Sequence, residues 1–142
     1  MTSTAAEVRP LLARDVMTTP VLTVAPSDTL WEAWRLMTRT GVRHLVVCAG
    51  EQCAGVVDDR AVFAQWPMGP LALRRDRVGD VMRARSICVL DDVELQTVAA
   101  VMVTEGVDAV AVVEPDGAVL GIVTASDVAV AVAEHGIVAG SV

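Results

Sequence analysis

The sequence predicts an α/β (α+β) fold made of two pseudo-symmetric β-α-β-β-α repeats packed as one domain. The prediction rests on internal repetition. Asp15-Val16-Met17 returns as Asp80-Val81-Met82, and Gly41-Val42 returns as Gly106-Val107, each 65 residues further on. Residues 15–48 laid without gaps on residues 80–113 give 9 identities in 34 positions. Later in each copy the register becomes 66, where Gly55-Val56-Val57 is answered by Gly121-Ile122-Val123. A unit of this length exceeds a solenoid repeat, so two homologous halves that share one domain are expected. The first repeat is placed at 14–66, a linker at 67–77 and the second repeat at 78–133.

The elements follow in chain order. Pro10 to Arg14 starts a short leading helix. Residues 21–24 read as a strand closed by Pro26. Thr29 and Glu32 have the spacing of a capping box, and Leu30, Ala33, Trp34 and Met37 form an apolar stripe at helical intervals. Gly41 ends that helix as a left-handed cap. Residues 45–48 and 54–57 are two strands around a turn at Gly50. A helix is expected over residues 59–66, stopped by Pro67. The second half repeats the order: strand 87–90, helix 95–105, Gly106, strand 109–113, a turn at 115–117, and strand 119–123. The run from Val128 to Ala133 alternates like a strand, but the repeat assigns it to a last helix beginning near Ser126.

Composition narrows the function. Apolar residues make up 54% of the 142 and aromatics 3%, so the core is built from small aliphatic side chains, with apolar surface to spare for a partner chain. No apolar run is long enough to cross a bilayer, and no signal peptide is visible, which gives a cytoplasmic expectation with no membrane partner. The formal net charge of −7 argues against nucleic acid, since the only basic run is Arg74-Arg75-Asp76-Arg77, read as solvating the linker. Cys48 and Cys53 flank the Gly50 turn and are expected to face each other as small buried side chains, with a redox pair as the alternative. His44 and His135 are the only histidines, and no four-ligand spacing supports a metal. No catalytic constellation is present, so an enzyme is not expected.

The doubled strand-helix-strand-strand-helix order carries Asp-Val-Met at the head of each copy. With Gly-Val-Arg-His-Leu at 41–45 and Gly-Ile-Val-Thr-Ala-Ser-Asp-Val at 121–128, it resembles a tandem pair of cystathionine-β-synthase (CBS) domains over residues 14–133. The resemblance implies a regulatory module that binds an adenosine-type ligand (AMP, ADP or ATP, with S-adenosylmethionine as an alternative) in a cleft between the repeats. It implies no other cofactor. With no enzyme, transporter or channel domain visible, the chain looks like a stand-alone pair acting through an unknown regulated protein or its own conformation. The competing expectation is a ligand-free dimerisation scaffold.

The resemblance also assigns residues. The Thr and Asp of Gly-x-x-Thr-x-x-Asp carry over to Thr124 and Asp127, expected at phosphate and sugar. A strand end leading into a helix start suits a phosphate, and a carboxylate suits two ribose hydroxyls. The plain alternative is a helix cap. In the first half the same places hold Asp58 and Ala61. Arg43 and His44 are expected to reach the phosphate across the pseudo-dyad, where the other copy has Asp108 and Ala109. One cleft should therefore combine Thr124, Asp127, Arg43 and His44, with the base near Ser86, Ile87 and Ile122. The other should hold Asp58, Ala61, Asp108 and Ala109 and be unsuited to the same ligand. A homodimer is expected through Trp31, which has no obvious intramolecular use, and through Phe63, Trp66 and the Val128 to Ala133 region.

Overall fold

The computed structural model describes residues 9–82 and 87–136. The first half contains α1 (Ala13–Val16), β1 (Thr23–Val24), α2 (Leu30–Thr40), β2 (His44–Ala49), β3 (Gln52–Asp58) and α3 (Asp59–Phe63). A 3₁₀ turn (Trp66–Met68) and α4 (Pro70–Arg75) lead to the second half: α5 (Val78–Val81), β4 (Cys88–Leu90), α6 (Leu95–Glu105), β5 (Ala109–Val113), β6 (Val119–Thr124) and α7 (Ala125–His135). Each half has one three-stranded mixed sheet, ordered β1-β2-β3 and β4-β5-β6, with the first pair parallel and the second antiparallel. No described helix is long and apolar enough to cross a membrane.

Local chemistry explains the long helices. Thr29 accepts the Glu32 N–H at 3.1 Å while Glu32 accepts the Thr29 N–H at 2.9 Å, which closes the capping box at the start of α2. The backbone N–H of Thr29, seconded by its hydroxyl, holds the Glu32 carboxyl below its ordinary pKa. Leu30, Ala33 and Met37 are buried along one face, and Gly41 ends the helix at φ 81°, the left-handed region glycine enters without strain. Every residue of β5 is buried, because helices cover one face of its sheet and the other sheet covers the second. That accounts for its unbroken apolar sequence.

The two halves interlock. The repeated Asp of Asp-Val-Met caps each leading turn: Asp15 accepts the Leu12 N–H at 2.8 Å and Asp80 accepts the Arg77 N–H at 3.1 Å. Each turn then docks on the opposite half. Ala13 donates to the Val93 carbonyl and Leu95 to that of Leu11. One repeat on, Val78 donates to the Asp28 carbonyl and Leu30 to that of Asp76. Ala13 therefore belongs to the core of the second half, beside Val98, Val110 and Val123, and Val78 to the core of the first, beside Leu30, Leu45 and Val62. A third apolar layer lies between the sheets, formed by Val46, Ala109, Ala111, Val113 and Ile122.

Trp31 and the helix expected over 59–66 need correction here, and the segment between the repeats has structure of its own. Residues 67–77, between the repeats, are folded chain: Pro70 opens α4, and Ala72 and Leu73 are buried in the first core. Trp31 does have an intramolecular use. Its ring lies 5.4 Å from that of Trp34, and the Arg74 guanidinium stands 4.5 Å over it, a cation–π contact that pins α4 to α2. The helix expected over 59–66 ends at Phe63, and Trp66 begins the 3₁₀ turn, its ring 6.0 Å from Trp34. Phe63 and Trp66 are about half exposed, as are Val130 and Val132 on α7.

Candidate functional site

Two of the clefts between the halves share His44 and Asp108 in their walls. The larger, about 610 Å³, is walled by Thr18, Val21, Leu22, Val46 and Ile122 together with Arg43, His44, Thr124 and Ser126. The first β-strand region of one half thus meets the end of β6 from the other. The junction is a short antiparallel bridge: Thr18 donates to the Ile122 carbonyl at 2.8 Å and Ile122 donates to that of Thr18 at 3.2 Å. Gly121 permits this approach, since a Cβ there would sit 2.6 Å from the Met17 sulfur.

Four of the expected residues converge on this cleft: Arg43, His44, Ile122 and Thr124. Asp127 stands behind the wall. Its carboxylate accepts the Thr124 N–H at 2.9 Å and the Thr18 hydroxyl at 2.9 and 3.1 Å, while its own N–H donates to Thr124 Oγ1 at 3.2 Å. The Thr124–Asp127 pair is therefore a helix capping box, and Thr18 connects it to the cleft. Thr18 went unnoticed in the sequence because its partner is 109 residues away. Ile87 lines the other cleft, because the leading segments change places between halves and bring residues 18–22, not the second-half strand start, alongside Ile122. Ser86 lies outside the described residues.

The smaller cleft, about 330 Å³, is lined by Asp58, Ala61, Asp108 and Ala109 as expected, together with Arg60, His44 and Ile87. Arg60 changes its charge. The guanidinium lies 3.2 Å from Asp58 and 3.1 Å from Asp108, and His44 Nε2 is 2.9 Å from the same Asp108 oxygen. Burial pushes the Asp108 carboxyl up, but the hydrogen bond and charge of His44, with Arg60, outweigh it and hold the group below its ordinary value. Asp58 is further used as the cap of α3, accepting the Ala61 N–H at 2.8 Å. His44, Asp58 and Asp108 bring three ligand atoms within 4.8 Å of one another, the one such group among the described residues, and Arg60 supplies its cation. Arg43, by contrast, is an exposed side chain at the rim with a long 3.7 Å contact to Asp59, loose enough to turn toward an anion.

A duplicated fold with clefts across its pseudo-dyad, one of them apolar-walled with Arg43 at its rim, defines a paired module built from two like halves. The CBS domain family model matches residues 13–65 and 78–134, and the chain belongs to that family as a tandem CBS pair. The CBS domain pair of protein MJ0100 superposes with a TM-score of 0.78 at 20% identity, covering 89% of this chain and 98% of that one. The structure of CBSX2 in complex with AMP superposes with a TM-score of 0.75 at 26% identity, covering 87% and 97%. An inosine-5'-monophosphate dehydrogenase from Korarchaeum cryptofilum (strain OPF8) is 34% identical over 109 residues, 76% of this chain. A 33.4 kDa protein of the ribosomal RNA operon of Thermofilum pendens is 30% identical over 125 residues. The chain spans only 21% and 41% of the length of these two relatives.

Proposed function

We propose that the protein is a regulatory module that binds an adenosine-type nucleotide (AMP, ADP or ATP) in the 610 Å³ cleft and carries out no catalysis. One observation carries this reading: Arg43 and His44 from one half and Thr124 from the other line the same apolar-walled cavity. The phosphate sits at the start of α7, where the Thr124 hydroxyl, already accepting from Asp127, keeps its proton to donate. Arg43 and His44 close on the phosphate from the other side. The ribose diol replaces the Thr18 hydroxyl on Asp127, whose Oδ1 accepts nothing else among the described hydrogen bonds. The base packs between Val21, Leu22, Val46 and Ile122 rather than at Ile87. CBSX2, at 26% identity, is described with AMP, which supports the ligand class. The signal passes to a regulated protein, or to a second copy through the exposed faces of α3 and α7.

A second reading, S-adenosylmethionine, is favoured by Asp108, whose carboxylate reaches this cleft and suits a sulfonium. Thermal melts with AMP, ATP, GMP and S-adenosylmethionine decide between them. A ligand at 100 times its Kd adds about 2.7 kcal/mol of apparent stability. A shift with AMP or ATP alone supports the nucleotide, a shift with S-adenosylmethionine alone supports the second reading, and no shift leaves a ligand-free scaffold.

A further inference from the structure

The cysteines do not pair as the hairpin suggests. Cys48 and Cys53 are register partners on β2 and β3, beside an irregularity between Val47 and Cys48. The Cys53 sulfur, however, lies 3.3 Å from that of Cys88, on β4 of the other half. All three side chains are partly buried against the layer between the sheets, and none is fully enclosed. We infer that Cys53 and Cys88 are a covalent modification site, joined as a disulfide across the two sheets by exchange with a low-molecular-weight disulfide such as glutathione disulfide.

The geometry is close to bonding. From 3.3 Å the sulfurs must approach by a little over 1 Å to reach the bonded length of about 2.05 Å. The chemistry balances within the two thiols and the reagent. One cysteine thiolate attacks the reagent, forming a mixed disulfide and expelling one thiolate. The second cysteine, deprotonated in turn, attacks the protein-bound sulfur, forms the Cys53–Cys88 bond and expels the other thiolate. The cysteines lose two electrons to the reagent, and their two protons are taken up by the expelled thiolates. Contact with Cys88 and then burial push the Cys53 thiol up. The bond would tie β3 to β4 beneath Val46 and Ile122 in the same apolar layer. This inference stands independently of the nucleotide reading.

The sequence makes the test direct. The chain has no lysine, and cleavage after Arg and Glu places Cys48, Cys53 and Cys88 on separate peptides: 44–51, 52–60 and 86–94. The folded full chain is incubated with glutathione disulfide at pH 8, alkylated without reduction, digested and weighed. The expected product is peptide 52–60 joined to 86–94, two hydrogens lighter than its parts, with Cys48 alkylated and the protein still single-chain on a non-reducing gel. Cys48→Ser should give the same product, and urea-unfolded protein a mixture of all three links. A link between 44–51 and 52–60 in the folded protein, three alkylated cysteines, or stable glutathione adducts without a link would each overturn the inference.

Discussion

Replacing Asp127 by Ala separates its two roles. In the ligand-free protein the carboxylate holds the Thr124 N–H and the Thr18 hydroxyl, so its loss opens the start of α7. Losing that capping is expected to cost about 1 kcal/mol of stability. Binding suffers separately. Removing a charged acceptor from the ribose costs about 1.5–3 kcal/mol, which weakens AMP affinity roughly 10- to 150-fold. Asp58→Ala is the internal control. It deletes the N-cap of α3, the place Thr124 holds on α7, a bond of 2.8 Å to the Ala61 N–H, in the cleft that lacks a sugar acceptor. It should lower stability to a similar degree and leave affinity within about threefold. Isothermal titration calorimetry with AMP measures binding, and thermal melts measure folding. Equal losses of affinity in the two variants would refute the single-site assignment.

Leu73→Ala should lower stability by about 2–5 kcal/mol, since the side chain is fully buried, whereas Leu71→Ala on the exposed face of the same helix should change it by under about 0.5 kcal/mol; equal denaturation midpoints would dislodge α4 from the core. Asp108 has a folded pKa below its ordinary 3.8, so its contribution is complete above that value and lost as pH falls through the lower folded one. Asp108→Asn should therefore be less stable at neutral pH and lose less on acidification, and parallel acid-denaturation curves for the two proteins would contradict the His44–Asp108–Arg60 network. Phe63, half exposed on α3, is proposed as a dimer anchor; Phe63→Asp should weaken self-association by at least about 30-fold in sedimentation, and an unmodified protein that is monomeric at micromolar concentration would remove the dimer.

The long helices were legible because their signals are local. Thr29, Glu32 and Gly41 mark both ends of α2, and the repeat assigned 128–133 to a helix against its strand-like alternation. The bounds of α6 and β5 are those expected. What escaped depends on contacts between distant residues. In α4 two adjacent buried residues, Ala72 and Leu73, are too few to show a period, and Pro70 reads equally well as a loop residue. A four-residue turn such as α1 carries nothing that says which half it will cover. That ambiguity hid the fact that residues 20–22, and not Ile87, share a cleft with Ile122. Thr124, Arg43 and His44 were legible as one group because the repeat shows which copy keeps each polar residue. Arg60 was not, since its two carboxylate partners come from both halves and only the fold brings them to one guanidinium.

The crossed docking of α1 and α5 makes the two repeats unequal to independent life. A fragment ending after α3 would keep Leu30, Leu45 and Val62 but lose Leu73 and Val78, which complete their burial. The other fragment would likewise lack Ala13 and expose Val98 and Val110. Each half therefore serves as part of its sibling's solvent barrier, and opening either one uncovers apolar surface in both. The duplicated chain is therefore expected to unfold in one cooperative transition, with no stage at which a single half stands alone.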